Sequence, residues 1–217
     1  MAAKQQVLNG LKETGVVAVI RADDPSDLVD VAKALREGGV RYVEITMTVP
    51  RAIDVIEKAV ANLPADDIVI GVGTVLDGET ARAAILAGAG YVVAPTFNAE
   101  LVEMCKRYSV AVMPGAMTPT EILTAWEAGA DIVKVFPAGV GGPPFFKDVK
   151  GPLPHIDIMP TGGVNRETAA AFIKAGACAI GVGGELVGKK LIADRDFKTI
   201  TKNARDFIQV VREARKS

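Results

Sequence analysis

The sequence predicts an α/β fold: a single (β/α)8 TIM barrel with an extra N-terminal helix, in one domain spanning residues 1–217. Short runs of β-branched residues alternate with amphipathic segments along the whole chain, as in parallel sheets whose strands are joined by helices. There are eight such runs, and similar glycine-containing junctions precede the even-numbered ones, as if one unit recurred four times. A doubly wound open sheet is the main alternative, and the alternation excludes all-α and all-β folds.

The predicted strands are apolar runs bounded by turn or helix signals. In chain order they are VVAVIR (16–21), YVEITM (42–47), IVIGVGTV (68–75), YVVAP (91–95), AVMPG (111–115), DIVKVFP (131–137), IDIMPTGG (156–163) and AIGVGG (179–184). No linker or low-complexity segment separates them, so we predict no second domain.

Capping residues mark where several of the intervening helices begin. Asp77, Thr118 and Asn165 are N-cap candidates, because a side-chain oxygen at this position accepts hydrogen bonds from the first free N–H groups of a helix. Residues 4–13, before the first strand, are predicted to form the extra helix and to cover the N-terminal mouth of the barrel. Residues 139–152 are predicted to form a loop that is one wall of the site.

Composition restricts the classes of partner and chemistry. The chain has 25 basic and 26 acidic side chains and a net charge of -1, which excludes a basic surface for nucleic acid or for a membrane. One histidine and two distant cysteines argue against a zinc site and against a Ser-His-Asp triad. We therefore expect no metal, no cofactor and a small-molecule ligand.

The N-terminal segment lacks the apolar core of a signal peptide, and no apolar run approaches the roughly 20 residues that a membrane-spanning helix needs. The two separated cysteines fit a reducing compartment better than a disulfide framework. Together these observations predict a cytoplasmic protein.

Lys134 is the leading catalytic candidate. Because side chains alternate along a strand, Ile132, Lys134 and Phe136 share one face of DIVKVFP, and the valines between them suit packing against helices. This turns the lysine into the barrel, where burial favours the neutral amine that attacks carbonyl groups. The alternative is a lysine that reaches solvent or forms a structural ion pair.

Glu44 is the second catalytic candidate. In YVEITM it shares the inward face with Tyr42 and Thr46. A carboxylate inside an apolar strand needs a partner, and the ammonium group of Lys134 is the nearest candidate. The pair is either structural or a nucleophile with its general acid/base, and these two interpretations are compatible.

The remaining candidates stand at the carboxyl ends of strands, where active sites of such barrels form. Glycine-rich turns after the seventh and eighth strands are typical of phosphate binding through backbone N–H groups, although glycine also serves simple turns. Arg21 suits an anionic substrate, or is a solvated charge at the rim. The predicted substrate-binding residues are Arg21, Thr74, Pro95, Phe136, Thr161, Gly162, Gly163, Gly183 and Gly184.

Taken together, these motifs resemble the 2-keto-3-deoxy-6-phosphogluconate (KDPG) aldolase family, also called 4-hydroxy-2-oxoglutarate aldolases, along nearly the whole chain. The matching stretches are VVAVIR, GGVRYVEIT, VGTVL, PGAMTPTE, VKVFPAG, PTGGV and IGVGGEL. The resemblance implies that Lys134 is the Schiff-base lysine and that Glu44 is the proton donor and acceptor. It also implies that Thr74 and Thr161 hold the pyruvyl portion, that the four glycines at 162, 163, 183 and 184 lie on the phosphate side, and that the assembly is a homotrimer.

Two positions depart from the family pattern. Thr48 stands where some relatives carry an arginine that contacts the substrate carboxylate, and Gly184, followed by Glu185, stands where many members have a phosphate-binding serine. The lost hydroxyl and the added anion leave room for shorter or unphosphorylated substrates.

The resulting hypothesis is a metal-independent class I aldolase acting on a 2-oxo acid, which we expect to be phosphorylated. It would cleave KDPG to pyruvate and glyceraldehyde 3-phosphate, and also 4-hydroxy-2-oxoglutarate to pyruvate and glyoxylate. The alternatives are a related phosphogalactonate aldolase, a phosphate-binding isomerase or synthase barrel, and a catalytically idle trimeric scaffold.

Overall fold

The structure, a computed structural model, describes residues 3–64 and 67–216. The described strand segments are β1 (Val16–Ile20), β2 (Tyr42–Thr46), β3 (Val69–Gly73), β4 (Tyr91–Val93), β5 (Ala111–Met113), β6 (Gly115–Ala116), β7 (Val133–Val135), β8 (Ile158–Pro160) and β9 (Ile180–Val182). The described helices are α1 (Lys4–Thr14), α2 (Leu28–Glu37), α3 (Ala52–Asn62), α4 (Gly78–Leu86), α5 (Ala99–Arg107), α6 (Pro119–Glu127), α7 (Gly142–Lys150), α8 (Arg166–Lys174), α9 (Lys189–Ala193) and α10 (Phe197–Ala214).

All pairings between the strands are parallel, and the strands follow one another around a ring. One sheet has the order β5-β4-β3-β2-β1-β9 and the other the order β6-β7-β8. Only Pro114 separates β5 from β6, so these two segments are the halves of one barrel strand. On the other side, a bridge between Thr161 and Gly181 and a 3.0 Å hydrogen bond from Cys178 N to Ile158 O connect β8 to β9. The predicted α/β barrel is confirmed, and the open doubly wound sheet is excluded.

The apolar residues form two layers, one on each face of the strands. The outer layer lies between the strands and the surrounding helices. The inner layer fills the interior of the barrel towards the N-terminal ends of the strands. Val7, Leu8 and Leu11 of α1 pack against the inner layer, next to Tyr42 and Tyr91. Helix α1 therefore covers the N-terminal end of the barrel, as predicted.

The predicted N-caps are present and fix where three helices begin. Asp77 accepts a hydrogen bond from Thr80 N at 2.6 Å, and Asn165 accepts one from Thr168 N at 2.9 Å. Thr118 and Glu121 form a reciprocal capping box at the start of α6. Each of these helices follows the carboxyl end of a barrel strand, so its start belongs to the same rim as the site.

The prediction of a loop over residues 139–152 is wrong, because most of this segment is helix α7. Its two prolines, Pro143 and Pro144, occupy the first turn, where a missing N–H costs no intrahelical hydrogen bond. Phe146 and Val149 of this helix are buried and hold it against the barrel. The segment preceding α7, which includes Gly139, still borders the rim.

Candidate active site

A cavity of about 470 Å³ opens at the carboxyl ends of the strands. Its walls come mainly from the ends of β1, β7, β8 and β9 and from the turns that follow β8 and β9. The lining residues are Val19, Arg21, Phe136, Thr161, Gly162, Gly163, Val164, Asn165, Gly183, Gly184, Glu185, Val187 and Lys189. Seven of the eleven predicted site residues are therefore in the wall of one cavity.

Lys134 lies at the centre of β7, between Gly115 of β6 and Met159 of β8 in register. Its residue surface is only 3% exposed. The Nζ atom is 5.0 Å from the centroid of the Phe136 ring, which lines the cavity. The amine is thus directed into the barrel and stands beneath the cavity, as the strand alternation predicts.

Glu44 is on β2, in register with Gly71 of β3, and is fully buried. Its carboxylate leans over Gly73: a Cβ added to Gly73 would lie 1.8 Å from Glu44 Oε1. Within the part of the chain that the structure describes, neither carboxylate oxygen has a hydrogen-bond partner. A buried carboxylate left uncommitted in this way is free to exchange protons with a ligand.

The electrostatics of the two groups are coupled. Burial raises the pKa of Glu44, and the charges of Lys134 and Arg21 partly offset this effect. Burial lowers the pKa of Lys134, the Glu44 charge opposes that shift, and the Arg21 charge reinforces it. The barrel therefore favours a neutral amine and a carboxyl group that can be protonated, which are the states that nucleophilic and general acid/base chemistry require.

Thr161 and the two glycines after it form one wall of the cavity. Thr161 is buried, and its Oγ1 has no hydrogen-bond partner among the described residues. Gly162 and Gly163 have φ angles of 79° and 82°, which disfavour any other residue. At Gly163, a Cβ would also lie 2.6 Å from the Cα of Gly139. The close packing of these two backbones explains the paired glycines.

The adjacent wall follows β9. Nothing lies within 4 Å of a Cβ built on Gly184, so this wall is open to a ligand. Glu185 and Lys189 line the same region, and Lys189 forms a 2.6 Å ion pair with Asp23 at the surface. Arg21 is exposed at the rim, beside Val19. The charges at this end of the cavity are therefore mixed in sign.

Of the predicted substrate-binding residues, Thr74 and Pro95 lie outside the lining of this cavity, as do the two predicted catalytic residues. Thr74 directly follows Gly73, which contacts the Glu44 carboxylate, and it has a φ of 58°, an unusual value for a β-branched residue. The carbonyl of Pro95 packs against Gly115, one residue beyond the break in the fifth barrel strand. Both residues border the interior near Glu44 and Lys134 rather than the glycine-rich wall of the cavity.

Sequence reasoning missed two residues that the structure places at or below the site. Lys189, which lines the cavity, follows the last strand motif, and no local pattern distinguishes it from a surface lysine. Tyr91 faces the interior with Val93. The two-residue alternation in YVVAP could have identified Tyr91 as an inward polar group.

Over residues 3–64 and 67–216, no group of three His, Cys, Asp or Glu side chains is arranged to hold a metal ion. None of the described helices is long and apolar enough to cross a membrane.

The fold and the site define a barrel enzyme with a buried amine and carboxyl group below a glycine-walled cavity. A family model described as "KDPG and KHG aldolase" matches residues 7–203, and the chain belongs to this family. Its members are named aldolases, which are carbon–carbon lyases. The 2-dehydro-3-deoxy-phosphogluconate aldolase of Haemophilus influenzae is 33% identical over 209 residues, covering 96% of this chain and 98% of that protein. A 2-dehydro-3-deoxy-6-phosphogalactonate aldolase of Escherichia coli is 32% identical over 200 residues, covering 92% and 95%.

Solved structures agree with this assignment. A native KDPGal structure superposes with a TM-score of 0.86 at 31% identity, covering 93% of this chain and 96% of that one. A cube-shaped protein cage designed by fusing symmetric oligomeric domains gives the same score and identity, covering 93% of this chain and 73% of that one. The KDPG aldolase of Legionella pneumophila, with pyruvate captured as a covalent carbinolamine intermediate, gives a TM-score of 0.81 at 27% identity, covering 88% and 92%.

Replacing Gly73 tests the position of the carboxylate. In Gly73→Ala the new methyl group would occupy the place of Glu44 Oε1, so the carboxylate must move. We expect kcat for aldol cleavage to fall by about 10²-fold or more, the contribution of one general acid/base. Steady-state kinetics of the purified variant measures this effect.

Gly78→Ala is the matched control, because its Cβ meets other atoms only at ordinary distances of 3.5 Å or more. It should retain wild-type kinetics and thermal stability. Wild-type kcat in Gly73→Ala would show that the carboxylate position is irrelevant to turnover.

Proposed function

We propose that this chain is a class I aldolase that cleaves KDPG to pyruvate and glyceraldehyde 3-phosphate through a Schiff base on Lys134. It also cleaves 4-hydroxy-2-oxoglutarate to pyruvate and glyoxylate. The observation that carries the proposal is the buried, inward-facing amine of Lys134 near the Glu44 carboxylate, which has no hydrogen-bond partner among the described residues. The family membership and the pyruvate carbinolamine of the Legionella relative support the same chemistry.

In the first step, the neutral amine of Lys134 attacks C2 of the 2-oxo acid and gives a carbinolamine. Glu44 delivers a proton to the departing hydroxyl, and loss of water leaves a protonated imine. This cation is the electron sink that carbon–carbon cleavage requires. The lowered pKa of Lys134 supports the step, because burial increases the fraction of attacking amine.

In the second step, ionised Glu44 takes the proton of the C4 hydroxyl as the C3–C4 bond breaks. The bonding electrons move into the imine and form an enamine, and the aldehyde leaves. Protonation of the enamine at C3 and hydrolysis of the resulting imine release pyruvate and restore the lysine. The carboxylate serves in both steps since burial and neighbouring cations act on its pKa in opposite directions.

The substrate is held along the cavity from Lys134 towards the rim. Thr161 and Thr74 hold the pyruvyl portion, with Phe136 and Pro95 as apolar walls. The unpartnered Oγ1 of Thr161 is available for such a contact. The exposed Arg21 at the rim attracts the anionic acid as it enters.

The phosphate binds to the backbone of the turns at Gly162–Gly163 and Gly183–Gly184. The open space at Gly184 supports this placement. Lys189 supplies a cation where the family serine is missing, and Glu185 reduces the net positive charge there. Phosphogalactonate cleavage is the second candidate, favoured by the similarity to the native KDPGal structure. It needs the same lysine and carboxylate and differs in the configuration accepted at C4.

The proposed function is tested by turnover and by covalent trapping. Purified protein should release pyruvate from KDPG, and borohydride with pyruvate should leave a reduced adduct on Lys134. Lys134→Met should abolish the adduct and reduce kcat by about 10⁴-fold or more, because the covalent route is lost. Coupled pyruvate detection and peptide mass spectrometry provide the measurements.

Lys33→Met, which removes an exposed lysine of α2, is the control and should behave as wild type. An adduct on any other lysine, or turnover that survives Lys134→Met, would contradict the proposal. Survival would favour an isomerase or synthase barrel, and the absence of turnover with every keto acid would favour an idle scaffold.

The coupling between the two groups predicts an effect of pH. The Glu44 charge raises the pKa of Lys134. In Glu44→Gln that charge is removed, so the pKa of Lys134 should fall further and the neutral amine should persist at lower pH. In the pH profile of the rate of borohydride trapping with pyruvate, the acidic limb should therefore shift to lower pH. At the same time, kcat for cleavage should fall by about 10²- to 10⁴-fold. A limb that stays in place or moves upward would contradict this electrostatic arrangement.

The protein is further proposed to be a cytoplasmic homotrimer. The family resemblance supports the assembly, and so does the likeness to symmetric oligomeric domains of the designed cage. Exposed apolar side chains, among them Leu76, Leu86 and Val140, suit contacts between subunits. Light scattering should give three times the chain mass of 22.7 kDa, and a monomer at micromolar concentration would refute the assembly.

A further inference from the structure

Tyr91 carries a buried hydroxyl that the mechanism above does not use. The residue is on β4, and its side chain is fully buried in the inner layer of the barrel. Its Oη has no hydrogen-bond partner among the residues that the structure describes. Buried tyrosine hydroxyls normally find a partner, because leaving one unpaired forfeits its hydration. Phenylalanine would fill the same space without this cost.

The hydroxyl end of Tyr91 lies close to Glu44. A Cβ on Gly71 would be 2.3 Å from Cζ and Cε2 of Tyr91, so the far half of the ring crosses strand β3 at Gly71. In register, Gly71 is the partner of Glu44 on β2. At the next inward position of β3, Gly73 accommodates the Glu44 carboxylate. Two glycines of one strand thus allow side chains from both neighbouring strands to lean over it and approach each other.

The other groups around Glu44 complete its surroundings. Lys134 approaches from β7 and Arg21 from the end of β1, and both influence the carboxyl group electrostatically. Strand β3 contributes only glycines on this face at positions 71 and 73. Tyr91 is therefore a neutral donor near a carboxyl group whose other neighbours, Lys134 and Arg21, are cations. Its hydroxyl makes no direct hydrogen bond to the carboxylate, and a single water molecule can bridge two such polar groups.

We propose that Tyr91 is a positioning residue, whose hydroxyl donates through one bridging water to the Glu44 carboxylate and holds it at the height of the Lys134 amine. The catalytic consequence rests on the proposed aldolase function, whereas the contact itself does not. A donor directed at the charged form of a carboxyl group favours that form. Tyr91 thereby offsets part of the effect of burial and keeps Glu44 available as a base.

The state of Tyr91 fits this role. Burial, with the negative charge of Glu44 as a further contribution, raises the pKa of Tyr91 well above its usual value. The phenol therefore remains protonated throughout the working pH range and acts as a fixed donor. It neither gives up its proton to the reaction nor competes with Glu44 as a base.

Tyr91→Phe and Tyr42→Phe are the test and its matched control. Tyr42 is the neighbouring interior tyrosine, with ring centroids 6.2 Å apart, but its hydroxyl faces Gly10 of α1. We expect Tyr91→Phe to raise the pKa of Glu44 by about 0.5 to 1 unit. In kinetics with KDPG the acidic limb of kcat should move up by the same amount, and kcat at pH 6 should fall about three- to tenfold with KM unchanged. Tyr42→Phe should leave both unchanged.

A second readout keeps this inference separate from the proposed function. Carbon-13 labelling of glutamate carboxyl groups, with Glu44→Gln for assignment, follows the titration of Glu44 without any substrate. An upward shift in Tyr91→Phe alone supports the contact even if the wild-type chain fails to cleave KDPG. An unchanged Glu44 titration in Tyr91→Phe overturns the inference, and so does an equal shift in both variants, which would indicate a general packing effect.

Discussion

The structure depends on holding an amine and a carboxyl group together in a low-dielectric interior. Removing each charge from water costs several kcal/mol, and their mutual attraction repays this only in part. The pKa shifts of Glu44 and Lys134 express that cost, since burial moves each group towards its neutral form. The aliphatic inner and outer layers provide the stability that allows the barrel to retain the pair.

Two glycines in β3 provide the space that the buried Glu44 carboxylate and the Tyr91 ring occupy inside the barrel. A barrel of eight strands is just wide enough for its side chains to fill it, so a long polar side chain needs a neighbouring strand without side chains on that face. Gly71 and Gly73 supply this room, one for the Tyr91 ring and the other for the Glu44 carboxylate. The position of the buried charge and the packing of the barrel are thus determined at the same two residues.

Strand alternation was sufficient to predict that two ionisable side chains face the barrel interior. The two-residue period in DIVKVFP and YVEITM placed Lys134 and Glu44 inside the barrel, and the capping residues located three helix starts. It failed where the backbone departs from regular geometry. The strand predicted over 68–75 ends at Gly73, because Thr74 adopts a left-handed conformation that no periodic pattern anticipates. Helix α7 was mistaken for a loop because its prolines resemble helix breakers until their position in the first turn is known.

Helix α1 closes the N-terminal end of the barrel, which forms its floor, and this affects the order in which reactants bind and products leave. With the floor closed, the reactants and products of the proposed reaction would share the upper mouth, and the fragment carrying C4 to C6 would stand between the enamine and that mouth. In that arrangement the aldehyde would depart before water could reach and release the three-carbon acid. In the synthetic direction of the proposed reaction, a barrel closed at one end would admit the acid first and would present its enamine to an aldehyde that binds above it.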